Sequence, residues 1–337
     1  LELDPNYALA YAGLGDAYGQ GVNKFGSGRQ WNDSGIAQSQ KAISLDPNLA
    51  EGYKALALCY TNDMKLRQAL ELNKKALERN PNYFSAVGNI GFNYWFMGKY
   101  DEALPWMKKS VTLNPAFAFG YSGVAVVYRD LLEDEKAMLW FNKALELQPD
   151  LVDIRLGLAQ MYMSEEKYSK AMEEAQRILG LFPNETRALL LVGDIQLLMG
   201  DLTAARLFYE RAISDSSLES APKTELDLIL WKTGRPEDAL KMFSKRPAEL
   251  QKALAAGNES GDVPYELASI YAIQENREEA YKWLQRAVDM GWRNYRSALT
   301  DPSFESLRHE DAFKKIIDGV KAQVQEMRRR VEQRKDP

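Results

Sequence analysis

PNYFSAVGNIGFNYWFMGKYDEALPWMKKSVTLNP, residues 81–115, begins and ends on prolines 34 positions apart. Proline donates no backbone hydrogen bond and disfavours helix in the residue before it, so both ends read as helix breaks. Between them lie two apolar patterns of helical spacing, parted by Met97-Gly98-Lys99. The stretch is therefore two helices and a turn. The unit recurs: Pro47, Pro81, Pro115, Pro149 and Pro183 fall at 34-residue steps. Ala69, Ala103, Ala137, Ala171, Ala205 and Ala239 keep the same period, as do Tyr60, Tyr94, Tyr128 and Tyr162. Three residue types with different physical duties share one beat. A single globular core does not generate that; stacked helix pairs do.

Outward from this centre the register loosens at both ends. Pro5 to Pro47 spans 42 residues, an insertion of eight. Gly19 to Asp33 holds Gly19, Gly21, Asn23, Gly26, Gly28 and Asn32, and is expected to be a loop, with Trp31 packing back onto the second helix. An Asx follows most of the marker prolines (Asn6, Asn48, Asn82, Asp150, Asn184) and is expected to cap the next helix. Small residues at 57, 91, 125, 159 and 193 are expected to let the two helices of a repeat approach closely. After Pro183 a sixth repeat keeps Gly193, Gly200, Ala205 and Tyr209, and a seventh keeps Gly234, Ala239 and Phe243. A short helix is expected over Ala248–Ala256, then an eighth unit carrying Ala268, Tyr271, Ala280, Leu284 and Ala287. A helix from about Asp311 to Arg334 ends the chain, its charged residues solvated. The division is 1–247 for the array, 248–300 for the short helix and eighth unit, and 301–337 for a closing cap and basic helix, with Phe304, Leu307 and Phe313 buried.

A 34-residue helix–turn–helix period with these proline, small and aromatic markers resembles the tetratricopeptide repeat. The fold implied is all-α, a right-handed α-solenoid. The segment Asp301-Pro302, Phe304, Leu307-Arg308, Phe313 is similar to the closing segment of repeat arrays in bacterial multidomain signalling proteins. The opening LELDP reads as the tail of a helix whose start precedes residue 1, so the chain is expected to be part of something longer. An N-terminal targeting segment is not observable from residue 1 onward.

The 337 residues are 45% hydrophobic and 27% charged, with a formal net charge of -5. That balance argues against a general nucleic-acid grip, including an RNA-reading helical repeat. Residues 311–337 depart from it, with eight basic residues against five acidic. No apolar run approaches the ~20 residues of a membrane span. A cytoplasmic location is expected, a periplasmic one being left open. The one cysteine, Cys59, and the one histidine, His309, exclude an intrachain disulfide, a Cys-based zinc site and a His-based triad. No catalytic set, metal site or cofactor is expected, and no phosphate loop, since GVNKFGSGR at 21–29 lacks the lysine–hydroxyl ending.

The resemblance places the first helix of each repeat along a concave groove. One known use of the fold grips a peptide carboxylate with Lys, Asn and Arg. Lys54 and Asn89 match that pattern, whereas Leu58, Phe119 and Gly123 do not, so this use is disfavoured. What stands out is a strip in repeats three to five. Gly88, Gly123 and Gly157 are expected to leave room on the groove floor. Phe92, Trp95 and Phe119 are expected to serve as anchors there, with Lys54, Asn89 and Arg129 as polar flanks. The function expected is a non-enzymatic scaffold for protein–protein interaction, taking a protein or peptide segment in the groove. The alternative is a self-associating scaffold in which that strip receives a neighbouring copy, a homo-oligomer.

Overall fold

The computed structural model describes residues 4–25, 28–214, 228–229 and 245–334, and no strand occurs among them. The chain is a succession of helix pairs. The pairs are α1 (Ala8–Phe25) with α2 (Arg29–Leu45), α3 (Ala50–Asn62) with α4 (Leu66–Arg79), and α5 (Phe84–Phe96) with α6 (Tyr100–Leu113). Then come α7 (Ala118–Asp130) with α8 (Asp134–Leu147), α9 (Val152–Ser164) with α10 (Tyr168–Leu181), and α11 (Thr186–Leu198) with α12 (Leu202–Ser214). From α3 to α12 every helix starts 34 residues after its counterpart. The period of the sequence is thus the period of the fold, a helical repeat solenoid.

The markers acquire separate tasks. Within each repeat the turn ends the first helix with a residue in the left-handed region: Met64, Gly98, Leu132, Glu166 and Gly200, at φ 53°, 67°, 64°, 57° and 85°. The next amide donates back five residues, from Lys65, Lys99, Glu133 and Lys167 to the carbonyls of Tyr60, Tyr94, Tyr128 and Tyr162. This is a Schellman closure, and the tyrosine series marks its anchor. The Ala69 series from 69 to 205 is fully buried on the second helices. Small residues on the first helices do allow close approach. A Cβ on Gly193 would lie 2.5 Å from the ring of Tyr209, and one on Gly91 2.8 Å from Met107 Sδ. Between repeats, the Asx after proline does not cap the next helix. No side-chain cap bond forms at Leu49, Tyr83, Phe117, Leu151 or Glu185, the N-cap residues. The Asx before proline makes a bond instead: Asp4, Asp46, Asn80 and Asn114 accept the amide two residues on. A short carboxylate or amide reaches the i+2 amide across a proline without strain.

The expected loop over Gly19–Asp33 is not one. Residues 19–25 continue α1 and residues 29–33 open α2. At 18 and 17 residues these helices are five and three longer than the 13- and 14-residue helices of the next repeats, which accounts for the eight inserted residues. The glycines serve contact between helices. A Cβ on Gly21 would lie 2.7 Å from the Trp31 ring, and one on Gly35 2.7 Å from Cys59 Sγ. Trp31 belongs to α2 itself and meets Tyr18 edge-on at 5.5 Å. Asn32, 2% exposed, donates to the Cys59 carbonyl at 3.0 Å and to Asp63 Oδ1 at 2.8 Å.

The seventh-repeat markers Gly234, Ala239 and Phe243 fall outside the described residues. Beyond them lie α13 (Arg246–Ala255), α14 (Asp262–Ile273), α15 (Arg277–Asp289), α16 (Tyr295–Thr300), a 3₁₀ turn at Pro302–Phe304 and α17 (Asp311–Gln333). The eighth unit is α14 with α15. The closing segment buries Phe304, Leu307 and Phe313 at 0%, 1% and 0% exposure. The last helix is less solvated than its composition suggests. Phe313, Ile317, Val320, Val324 and Met327, spaced three and four apart, form a buried stripe. That stripe joins one apolar cluster with Tyr100, Leu104, Val124 and Leu131 of repeats three and four. The C-terminal unit therefore turns back onto repeats far upstream. The Glu259 amide donates to the Met64 carbonyl at 2.9 Å, and Arg296 makes a forked contact with Asp134 at 3.1 Å. Arg328 Nε lies 2.6 Å from Glu133, and Arg330 Nη1 3.0 Å from Asp101.

Candidate functional site

This return of the chain makes a cavity of about 590 Å³ between the first helices of repeats three to six and the C-terminal unit. One wall follows the repeat. Trp95, Arg129, Met163 and Leu197 stand at one register position, and Phe96, Asp130, Ser164 and Leu198 at the next. Gln160 and Asp194, a further pair 34 apart, lie one helical turn earlier. The other wall comes from the start of α14 (Gly261, Asp262, Tyr265), from Gly291–Ser297 and from Thr300–Ser303. Trp95, Tyr100, Tyr265, Trp292 and Tyr295 make the deep end aromatic. Gln160 and Ser164 are exposed, so the pocket opens to solvent beside repeat five.

Hydrogen bonds fix the polar groups in this pocket. Asp130 accepts from Trp95 Nε1 at 2.6 Å and from Arg129 Nε at 2.7 Å, and Arg129 Nη1 donates to Gln160 at 2.6 Å. Trp95 and Arg129 are therefore locked to one carboxylate across adjacent repeats. Asp194 accepts from Tyr209 Oη at 2.7 Å; burial, with Asp301 nearby, pushes its carboxyl up to about 6. Asp301 accepts from Tyr265 Oη at 2.7 Å and from the Ser303 amide at 2.8 Å. Burial also raises Asp262, and lowers the Arg293 guanidinium, which donates to the Val288 and Trp292 carbonyls at 2.7 Å. Tyr265 stacks on Trp292 at 4.5 Å, interplanar angle 14°. The site is a rigid, mixed apolar and charged recess of a size for a few residues of an extended chain. Among the described residues no three His, Cys, Asp or Glu are placed to hold a metal ion.

Of the six expected site residues, Trp95 and Arg129 line this pocket. Phe92 packs on Phe119 at 5.1 Å and on Trp95 at 6.4 Å, so the three rings form one chain along the repeats. Phe119, 37% exposed in the first turn of α7 and outside the pocket, carries that chain on to Phe117 at 6.0 Å. Asn89 lies nearby on α5, and its Nδ2 has no hydrogen-bond partner. Lys54 is not a free groove cation. It is 7% exposed and bonded to Asp16 Oδ1 at 2.5 Å, since α1 packs on α3. The room expected above Gly88, Gly123 and Gly157 is filled. A Cβ there would lie 3.0 Å from Ser110 Oγ, 2.9 Å from Met107 Sδ and 2.6 Å from Phe141. These glycines face the second helices, not the groove. The C-terminal wall was missed altogether. No local signal announces it, since its residues come from helix starts and turns that meet the first helices of the array only through tertiary contact.

Two family models match the sequence, both of the tetratricopeptide repeat, over residues 84–117 and 156–222. No curated protein matches the chain. Among solved structures it is similar to the APC/C hetero-tetramer Cut9-Hcn1, at 18% identity, covering 86% of this chain and 52% of that one with a TM-score of 0.51. It is also similar to TTC0263, a thermophilic TPR protein of Thermus thermophilus, at 22% identity, covering 56% and 99% with a TM-score of 0.49. A tetratricopeptide repeat protein from Parabacteroides merdae ATCC 43184 matches at 16% identity, covering 93% and 99% with a TM-score of 0.47. Such likeness speaks to fold alone, and here it rests on the first of the three. The two sequence matches and the 34-residue helix register make the chain a helical solenoid that carries tetratricopeptide repeats over 84–117 and 156–222.

Proposed function

We propose that this protein is a non-enzymatic interaction scaffold that takes a short partner segment in the pocket between repeats three to six and its own C-terminal unit. The observation that carries this reading is the register of the wall. Four consecutive repeats present equivalent positions, 95/129/163/197 and 96/130/164/198, to one recess. A periodic wall suits a periodic ligand, and an extended peptide offers alternate side chains at regular spacing. Aromatic side chains at the deep end supply anchors, and the fixed Arg129–Asp130 pair supplies orientation. Exposed Gln160 and Ser164 mark the entry.

Self-association through the same strip is less well supported. The chain's own C-terminal unit already faces repeats three and four and packs on Leu197, Ala205 and Tyr209 of repeat six, leaving repeat five, with exposed Gln160 and Ser164, as the open side. No helix among the described residues is long and apolar enough to cross a membrane. A cytoplasmic or periplasmic setting is compatible with the reading.

The test is photo-crosslinking. A photoreactive residue at Gln160, and another at exposed Asn142 on α8 as control, are presented with a random peptide library. Crosslinks enriched at position 160, with a shared peptide pattern that Trp95→Ala erases, support the reading. Equal capture at both positions, or enrichment that survives Trp95→Ala with the helical signal intact, refutes it.

A further inference from the structure

The charged groups that line the pocket do not cancel. Asp130, Asp194, Asp262 and Asp301 stand against Arg129, Arg293 and Arg296. Two of the guanidiniums are already neutralised. Arg129 pairs with Asp130 at 2.7 Å, and Arg296 is taken up at 3.1 Å by Asp134, which is not part of the lining. Arg293 donates to the Val288 and Trp292 carbonyls. Among the described residues no basic side chain pairs with the carboxylates of Asp194, Asp262 or Asp301. They accept instead from Tyr209, from the Ser260 hydroxyl at 3.1 Å, and from Tyr265 with the Ser303 amide. Arg308 reaches only the backbone carbonyl of Asp301, at 2.7 Å. Three carboxylates are therefore left against one guanidinium.

Asp194 and Asp301 occupy opposite walls, one on α11 and the other just past α16. They are close enough that the charge of Asp301 adds to the burial that raises the Asp194 carboxyl. Two like charges with no cation beside them oppose each other's ionisation, and a cation seated between them removes that cost. Both carboxylates are already aimed. Each is held by a tyrosine hydroxyl, from fully buried Tyr209 on one side and from Tyr265, stacked on Trp292, on the other. The same Tyr265–Trp292 stack gives this end an apolar wall. The alkyl stem of a lysine or arginine can lie along such a wall, and aromatic faces attract its charged head. A metal ion fits less well. No three His, Cys, Asp or Glu gather among the described residues, whereas hard cations take about six oxygen ligands.

We propose that the segment taken by the pocket is basic, with one lysine or arginine side chain reaching between Asp194 and Asp301. This rests on the pocket reading and names the chemistry of its ligand. The Arg129–Asp130 pair adds no net charge to the site, and Asp262, at the start of α14, extends the negative side.

The experiment extends the crosslinking at positions 160 and 142 at neutral pH. The random peptides are blocked at both ends, so that only their side chains carry charge. Peptides captured at 160 are expected to carry lysine or arginine at least about tenfold more often than those captured at 142, the ratio that one hydrogen bond to a charged group supplies. The comparison with 142 removes the general attraction of basic peptides to a chain of net charge -5. Asp194→Asn, which still accepts from Tyr209, and separately Asp301→Asn are expected to keep the enrichment at 160 and lose most of the basic bias. Enrichment at 160 without a basic bias overturns the proposal and leaves the pocket reading standing. A bias that survives Asp194→Asn with the helical signal intact overturns it as well. If Asp301→Asn loses its helical signal, Asp194→Asn alone decides. No enrichment at 160 over 142 overturns the pocket reading, and this proposal with it.

Discussion

Phe304→Ala removes the ring at the centre of the C-terminal unit. Phe304 is fully buried and lies 5.5 Å from both Tyr265 and Phe313. Losing the apolar side chain costs about 2–3 kcal/mol in transfer free energy. The unfilled space adds about 1–2 kcal/mol, since neighbours anchored elsewhere relax only in part. Tyr265 is so anchored, by its bond to Asp301 and its stack on Trp292. The expected loss is therefore about 4 kcal/mol, within the range for buried phenylalanine. In a solenoid this loss stays local. Urea unfolding followed by circular dichroism should show an early transition absent from the parent. Hydrogen exchange should quicken across 262–334 while the amides of repeats two to five keep their protection. A loss below about 1 kcal/mol contradicts the packing argument. A uniform rise in exchange along the whole chain contradicts the local one.

Two further outcomes follow from buried titratable groups. Asp194 has a folded pKa of about 6 against an ordinary carboxylate value of 3.8, so the folded state holds its proton more tightly than the unfolded chain does. The protein thus loses stability as pH rises from about 4 to about 6, by roughly 2–3 kcal/mol from this group. Asp194→Asn, which still accepts from Tyr209, should flatten that part of the pH–stability curve; parallel curves for the two proteins would refute the assignment. Burial, with Asp16 and Asp63 adding to it, pushes the Cys59 thiol up to about 12. A thiol reagent at pH 8 should therefore leave it unmodified until urea unfolds repeats one and two, and labelling of the native protein at the rate of a free thiol would contradict its burial.

The period was legible in the sequence because its markers are separately obligatory. Proline breaks the second helix, alanine at 69 and its successors fills a seat with no spare volume, and tyrosine sits at the anchor of a turn. The α1–α2 insertion was misread for a physical reason. Glycines that signal turns when exposed also signal close approach when buried, and Gly21 under Trp31 cannot be told from a loop glycine by composition. The groove was half legible. Trp95 and Arg129 follow from repeat position, whereas Lys54 does not, because nothing local reveals that Asp16 of α1 pairs with it. The opposite wall was illegible. Gly291, Arg296 and Asp301 reach the pocket only through pairings such as Arg296 with Asp134, and a single sequence does not encode which distant turn an arginine will meet.

The return of the C-terminal unit onto repeats two to four is the claim on which the pocket rests. The Glu259–Met64 backbone bond places the two Cα atoms within about 7 Å of one another. Cysteines at 64 and 259 joined by a short bismaleimide test this directly at micromolar protein concentration. The account predicts an intrachain crosslink in the monomer, mapped by mass spectrometry to peptides containing both positions. Free thiols, or crosslinks found only between two chains, would contradict it.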